Sequence, residues 1–132
     1  VKYVNGHPAN TQYGKPCVMG LGLLATVADG APVMLSEMTL LTAIRTACTS
    51  ALVARYAAKE SASTLGLIGL GAQAEFQVLA LSLVRPICRV VGYDIDVAAM
   101  QKTAHNLKEL GIGRKKRIIA TLYDHTLDTH LS

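Results

Sequence analysis

The chain has 132 residues, enough for one domain of ordinary size, and its 51% hydrophobic against 17% charged content excludes an intrinsically disordered polymer. The formal net charge of +4 draws heavily on Arg114-Lys115-Lys116-Arg117, a run without interleaved aromatics that reads as solvated surface, so no nucleic-acid partner is expected. No apolar stretch reaches the ~18 residues of a membrane span, and neither a membrane partner nor a signal peptide is expected.

Cys17, Cys48 and Cys88 contain no C-x-x-C pair and are expected to be reduced core residues of a cytoplasmic protein. His7, His105, His125 and His130 have no metal-ligand spacing among themselves or with the cysteines, so no metal is expected. The sequence opens on Val1, not on methionine, and reads as an internal piece of something longer.

In chain order, Val1–Val4 is a short strand candidate closed by the turn pair Asn5-Gly6. His7-Pro8 to Pro16 reads as an irregular loop. Val18–Val27 is a strand, and the apolar stretch to Ala28 suggests that it is buried. Asp29-Gly30 then reverses the chain into Val33–Leu35 as a hairpin. A long helix starts at Ser36 or Thr39 and runs to about Ala58, with Leu41, Ile44, Cys48, Leu52 and Tyr56 as its apolar stripe. The polar joint Lys59–Ser63 marks a boundary between a domain of residues 1–60 and one of residues 61–132.

Leu65, Leu67, Ile68 and Leu70 form an apolar run that suits a strand buried on both faces. Phe76, Leu79, Ala80 and Leu83 recur at helical spacing, and Pro86 lies just beyond. Between strand and helix stands Gly69-x-Gly71-x-x-Ala74, the spacing of a pyrophosphate-binding loop. Gly69 permits the tight turn, Gly71 lets backbone approach a phosphate, and Ala74 lets the helix lie close on the strand. The unpaired N–H groups of the helix's first turn then face the anion.

A second strand at Cys88–Tyr93 ends in Asp94, 23 residues after Gly71. That is close to the ~20 expected of an acid that binds the adenine ribose. A carboxylate there accepts from ribose hydroxyls and repels a 2′-phosphate, which favours NAD over NADP. The competing reading is a glycine turn in another kind of α/β protein, with Asp94 capping a helix. Asp96 is the better cap of the following helix, whose Met100, Ala104, Leu107 and Leu110 share a face before Gly111. A third strand is expected at Arg117–Leu122, before a polar tail.

Three pieces together resemble the ornithine cyclodeaminase/mu-crystallin family: Lys2–Pro8 (KYVNGHP), Glu37–Ala47 with Thr49-Ser50, and the glycine loop with Ala72-Gln73-x-Glu75-Phe76-Gln77. The likeness runs from Lys2 to about Leu107, and KYVNGHP favours the cyclodeaminase branch. It implies a two-domain enzyme, usually a homo-oligomer, that turns L-ornithine into L-proline and ammonia by an internal hydride cycle on NAD.

By the same resemblance, Lys2 is the active-site lysine that binds the substrate carboxylate; on its own it reads as an ordinary exposed terminal lysine. Arg45 clamps that carboxylate and touches the cofactor, and Cys17, Gly69, Gly71, Ala72, Gln73 and Asp94 occupy cofactor positions. Arg45 also lies in an apolar stretch, where a guanidinium needs an anion; a structural salt bridge is the other way to supply one. Cys17 stands where the family has a threonine, and a thiol is the weaker hydrogen-bonding group. Beyond about Leu110 the family's second Rossmann half, with its acid/base aspartate and Gly-Gly-Asp stretch, has no counterpart.

The expected fold is therefore α/β, a partial Rossmann sheet preceded by part of an α+β substrate and dimerisation domain. Three functions are weighed: the cyclodeaminase, a ketimine reductase or amino-acid dehydrogenase relative, and a non-catalytic NAD-binding or oligomerisation module. Without the missing halves, the chain is expected to lack turnover, to bind NAD weakly if at all and to self-associate.

Overall fold

A computed structural model describes residues 1–110 and the strand Ile119–Leu122. The basic run at Arg114–Arg117 and the tail with His125 and His130 lie outside the described residues. Two compact units, Val1–Arg45 and Thr46–Ser132, divide the chain at a point inside the long helix α1 (Thr39–Ala57).

The first unit is an antiparallel sheet in which β1 (Lys2–Gly6), β2 (Val18–Ala25) and β3 (Pro32–Glu37) lie in sequence order. The β2–β3 reversal forms at Asp29-Gly30 as the sequence indicates. The Thr26 hydroxyl and the Ala31 N–H both donate to the Asp29 carboxylate, in that order of effect lowering its pKa below the usual value. Between β1 and β2 the expected loop contains a 3-10 helix, Pro8–Tyr13, with proline at its start and Gly14 closing it at φ 65°.

Strand β2 is not the buried strand its composition suggests. Most of its residues are exposed, and Gly22 is the buried one. Met38 lies over it: an added Cβ at Gly22 would stand 2.7 Å from the Met38 Sδ. Glu37 ends β3 and accepts from the N–H groups of Thr39 and Leu40, so one residue both closes the sheet and caps α1.

The second unit is a parallel sheet of β4 (Thr64–Ile68), β5 (Arg89–Tyr93) and β6 (Ile119–Leu122), in that order. Helix α2 (Ala74–Val84) joins β4 to β5, and α3 (Val97–Glu109) follows β5. Both helices pack on the sheet face that carries Leu65, Leu67 and Val90, around Val78, Ile87 and Leu107. A second cluster, Leu70, Ala74 and Met100, sits under the start of α2.

Strand β4 is covered on one face only. Leu65 and Leu67 point to the helices, while Gly66 is exposed and Ile68 is 92% exposed, against the expected burial on both faces. The helical faces also shift from those read in the sequence. In α2, Ala74, Glu75, Val78 and Ala80 are buried, while Leu83 is exposed. In α3, Thr103 takes a place in the buried row with Met100 and Leu107, and Leu110 is exposed.

In α1 the stripe of Leu41, Ile44, Cys48, Leu52 and Tyr56 is exposed, and Ala43, Ala47 and Ala51 are buried instead. The reason is close approach: Ala47 and Ala51 meet Ala80, flanked by Phe76 and Val84, and small side chains let two helices come near. Arg85 closes this contact. Its guanidinium donates to the carbonyls of Arg55 (2.7 Å) and Ala58 (2.9 Å) at the end of α1, and to that of Val84 (2.7 Å). Cys17, Cys48 and Cys88 are free thiols at exposed positions, not core residues.

Candidate functional site

The strand-to-helix loop of the second unit forms as the glycine spacing requires. Gly69 adopts φ +87°, a conformation side chains resist, and its N–H continues the strand pairing by donating to the Tyr93 carbonyl at 2.8 Å. Leu70 then turns inward and is only 2% exposed. An added Cβ at Gly71 would meet no described atom within 4 Å, so packing among the described residues does not explain that glycine. Ala74 is buried where α2 begins, and its N–H bonds the Gly71 carbonyl at 3.1 Å.

Asp94 stands at the end of β5, as expected, but it is not left free. One carboxylate oxygen accepts the Leu70 N–H at 2.5 Å and the other accepts the Asp96 N–H at 2.9 Å. These two backbone donors, Leu70 first, hold its pKa below the ordinary value, so it stays an anion. A carboxylate offers about four lone-pair positions, so capacity for ribose hydroxyls remains. Asp96 caps α3 as expected, accepting from the Ala98 N–H at 2.9 Å.

Two further contacts brace the loop, and sequence reasoning missed both. The Thr103 hydroxyl donates to the Leu70 carbonyl at 3.1 Å. Glu75, in the first turn of α2, is 9% exposed; it accepts from the Asn106 amide at 2.8 Å and pairs with Lys102 at 3.5 Å. Asn106 and Lys102 thus occupy a carboxylate that would otherwise confront an anion at the helix start.

The residues suit a dinucleotide. The N–H groups of Gly71, Ala72 and Gln73 meet no acceptor among the described residues, and the buried Oε1 of Gln73 has no partner there. An open Gly71, unpaired donors at a helix start and a fixed anion at the next strand end are what a pyrophosphate and its ribose require. Among the described residues, no group of three His, Cys, Asp or Glu could hold a metal ion, and no helix is long and apolar enough to cross a membrane.

The structure gathers Gly69, Gly71, Ala72, Gln73 and Asp94 in this one place. Lys2, Cys17 and the exposed Arg45 belong to the first unit. Within that unit Lys2 and Cys17 are apart: Lys2 pairs with Gly22 at one end of the β1–β2 ladder, and Cys17 precedes Val18, which pairs with Gly6 at the other.

Fold and loop define a mixed α/β protein, with an antiparallel sheet followed by a parallel β-α-β unit whose strand-to-helix turn is glycine-rich. Residues 1–118 match the Ornithine cyclodeaminase/mu-crystallin family, and the chain belongs to that family. An ornithine cyclodeaminase of Agrobacterium fabrum is 49% identical over 110 residues, which cover 83% of this chain and 31% of that protein. The chain thus spans under a third of that relative's length.

The Thermococcus litoralis Delta(1)-pyrroline-2-carboxylate reductase, solved with NADH and L-proline, superposes with a TM-score of 0.82 at 35% identity, covering 92% of this chain and 36% of that one. An archaeal alanine dehydrogenase dimer with bound NAD gives 0.80 at 34% identity, covering 93% and 37%.

Proposed function

We propose that this chain is part of an NAD-dependent cyclodeaminase acting on L-ornithine, and that turnover belongs to the family-length protein. The observation that carries the reading is the glycine loop tied to Asp94 at the end of β5. The 49% identity to an ornithine cyclodeaminase supports the substrate. Residues 1–60 are then part of the substrate and dimerisation domain, and residues 61–132 the first half of the NAD-binding Rossmann domain, in a cytoplasmic homo-oligomer.

NAD held there would supply the hydride acceptor and donor for the substrate's Cα. The chain's own residues do the holding. Gly71, Ala72 and Gln73 present N–H groups to the pyrophosphate, with Gly69 shaping the turn, and Asp94 accepts from the ribose. Lys2 and Arg45 hold the amino-acid carboxylate, the lysine as a point charge and the arginine as a planar fork. Arg45 and Cys17 also touch the cofactor, the thiol in place of a hydroxyl.

A second reading, a reductase of cyclic imines or an amino-acid dehydrogenase, draws on the likeness to the Thermococcus reductase. Assaying the family-length protein on ornithine and on cyclic ketimines separates the two. Cofactor choice is tested on the chain itself by calorimetric titration with NAD and NADP. NAD is expected to bind the tighter, and tighter NADP would overturn the role given to Asp94. Binding of NAD without any turnover by the family-length protein would select a non-catalytic module.

A further inference from the structure

Leu70 is the variable residue between two glycines, yet the chain holds it on every side. Its side chain is 2% exposed and packs with Ala74 and Met100. Gly92 makes room for it, since an added Cβ there would stand 2.9 Å from the Leu70 Cδ1. Its N–H is held by Asp94 at 2.5 Å and its carbonyl by the Thr103 hydroxyl at 3.1 Å. The partners come from β5's end and from α3, 24 and 33 residues away in sequence.

The carbonyl bond matters beyond Leu70 because a peptide unit is planar. No described peptide bond is cis. In a trans unit the C=O of Leu70 and the N–H of Gly71 point in opposite directions, so fixing one aims the other. Thr103 draws the carbonyl toward α3, and the Gly71 N–H is thereby directed away from α3. A helical threonine ordinarily spends its hydroxyl on a carbonyl one turn back in its own helix. Here the hydroxyl is 3% exposed with its residue and reaches across to the loop instead.

The geometry points to Thr103 as a positioning residue for the pyrophosphate loop: by holding the Leu70 carbonyl it sets the direction of the Gly71 N–H toward the bound anion. This rests on the dinucleotide reading above. Thr103 does not touch the cofactor; it acts through one peptide plane. Asp94 fixes the preceding plane from the other side, so the same carboxylate that serves the ribose also shapes the phosphate loop.

The test uses the 132-residue chain and three forms: wild type, Thr103→Val, which keeps the shape and loses the hydroxyl, and Thr103→Ser, which keeps the hydroxyl. Amide hydrogen exchange is read by NMR at Leu70 and Ala74, whose N–H groups are bonded to Asp94 and to the Gly71 carbonyl, with Val90 and Val91 of β5 as reporters of global opening. Loss of one buried hydrogen bond should speed exchange in the loop roughly five- to tenfold while β5 holds, and Thr103→Ser should restore it. NADH titration followed by fluorescence should show weaker binding for Thr103→Val and recovery for Thr103→Ser.

Unchanged loop exchange in Thr103→Val overturns the proposal, as does equal acceleration in β5, which would mark a residue of general stability only. If Thr103→Val does not fold, Thr103→Ala against Thr103→Ser makes the same comparison. A family-length wild-type protein that takes no NADH would sink the dinucleotide reading, and the exchange comparison would still decide whether Thr103 sets the loop.

Discussion

Gly66 and Gly92 sit on neighbouring strands one pairing step apart, Gly66 opposite Val91 and Gly92 opposite Leu67, and the same substitution should act on them in opposite directions. At Gly66 an added methyl meets no described atom within 4 Å, so Gly66→Ala reduces the freedom of the unfolded chain and stabilises by about 0.5 kcal/mol. At Gly92 the methyl would lie 2.9 Å from Cδ1 and 3.2 Å from Cδ2 of Leu70. A leucine at a surface could swing aside, but Leu70 is packed with Ala74 and Met100.

Overpacking of this kind costs about 1–3 kcal/mol, against which the backbone gain offsets about 0.5 kcal/mol. Gly92→Ala should therefore destabilise by about 0.5–2.5 kcal/mol and separate from Gly66→Ala by about 1–3 kcal/mol. Urea unfolding of both variants under one set of conditions measures the difference. Equal midpoints, or a more stable Gly92→Ala, would show that Leu70 is not seated on Gly92 as described. Because Leu70 carries both loop peptides, Gly92→Ala should also weaken NAD binding while Gly66→Ala leaves it unchanged.

Asp94 has a folded-state pKa below 3.8, so the folded chain binds fewer protons than the unfolded one in the range beneath that value. Its stabilising contribution is whole above that pH and drains away as acid titrates the folded group. Asp94→Asn should flatten the loss of urea stability as the pH falls below about 4, and an unchanged slope there would refute the linkage. Asp29 and Glu37, lowered in the same sense, leave a residual slope. Arg85→Met removes the charged donor from the Arg55 and Ala58 carbonyls and should cost about 2 kcal/mol by urea unfolding; no loss would mean that these bonds do not hold α1. In the family-length protein, Arg45→Lys should lose most of the activity because an ammonium cannot reproduce the fork, and near-normal kinetics would make Arg45 structural.

The glycine loop was legible in the sequence because its demands fall on backbone. Only a residue without Cβ sits easily at φ +87°, so Gly69 declares itself by identity alone. The buried face of α1 was not legible for the opposite reason. Periodicity gives weight to large apolar side chains, and Leu41, Ile44 and Leu52 satisfy it, but the helix is held through Ala47 and Ala51, whose virtue is small size.

Thr103 was passed over because threonine is unremarkable in a helix until its partner is known, and that partner lies 33 residues away. Asp94 was found by its place after a strand, yet expected to be free; the Leu70 N–H that occupies it follows from the path of the loop, not from spacing. Glu75 was seen as part of a motif. Nothing local in the sequence indicates that Asn106 and Lys102 of the next helix would meet it.

The passage from β3 into α1 has almost no slack. Glu37 pairs with Leu21 in the sheet and accepts from two N–H groups of the helix, and Met38, the single residue between the two elements, is pinned over Gly20 and Gly22. An insertion there would part Glu37 from the helix N–H groups it accepts from and lift Met38 off both glycines. An insertion at this joint should therefore be far more damaging than one of the same length in the Asp29-Gly30 reversal, although both lie at the surface and both join regular elements.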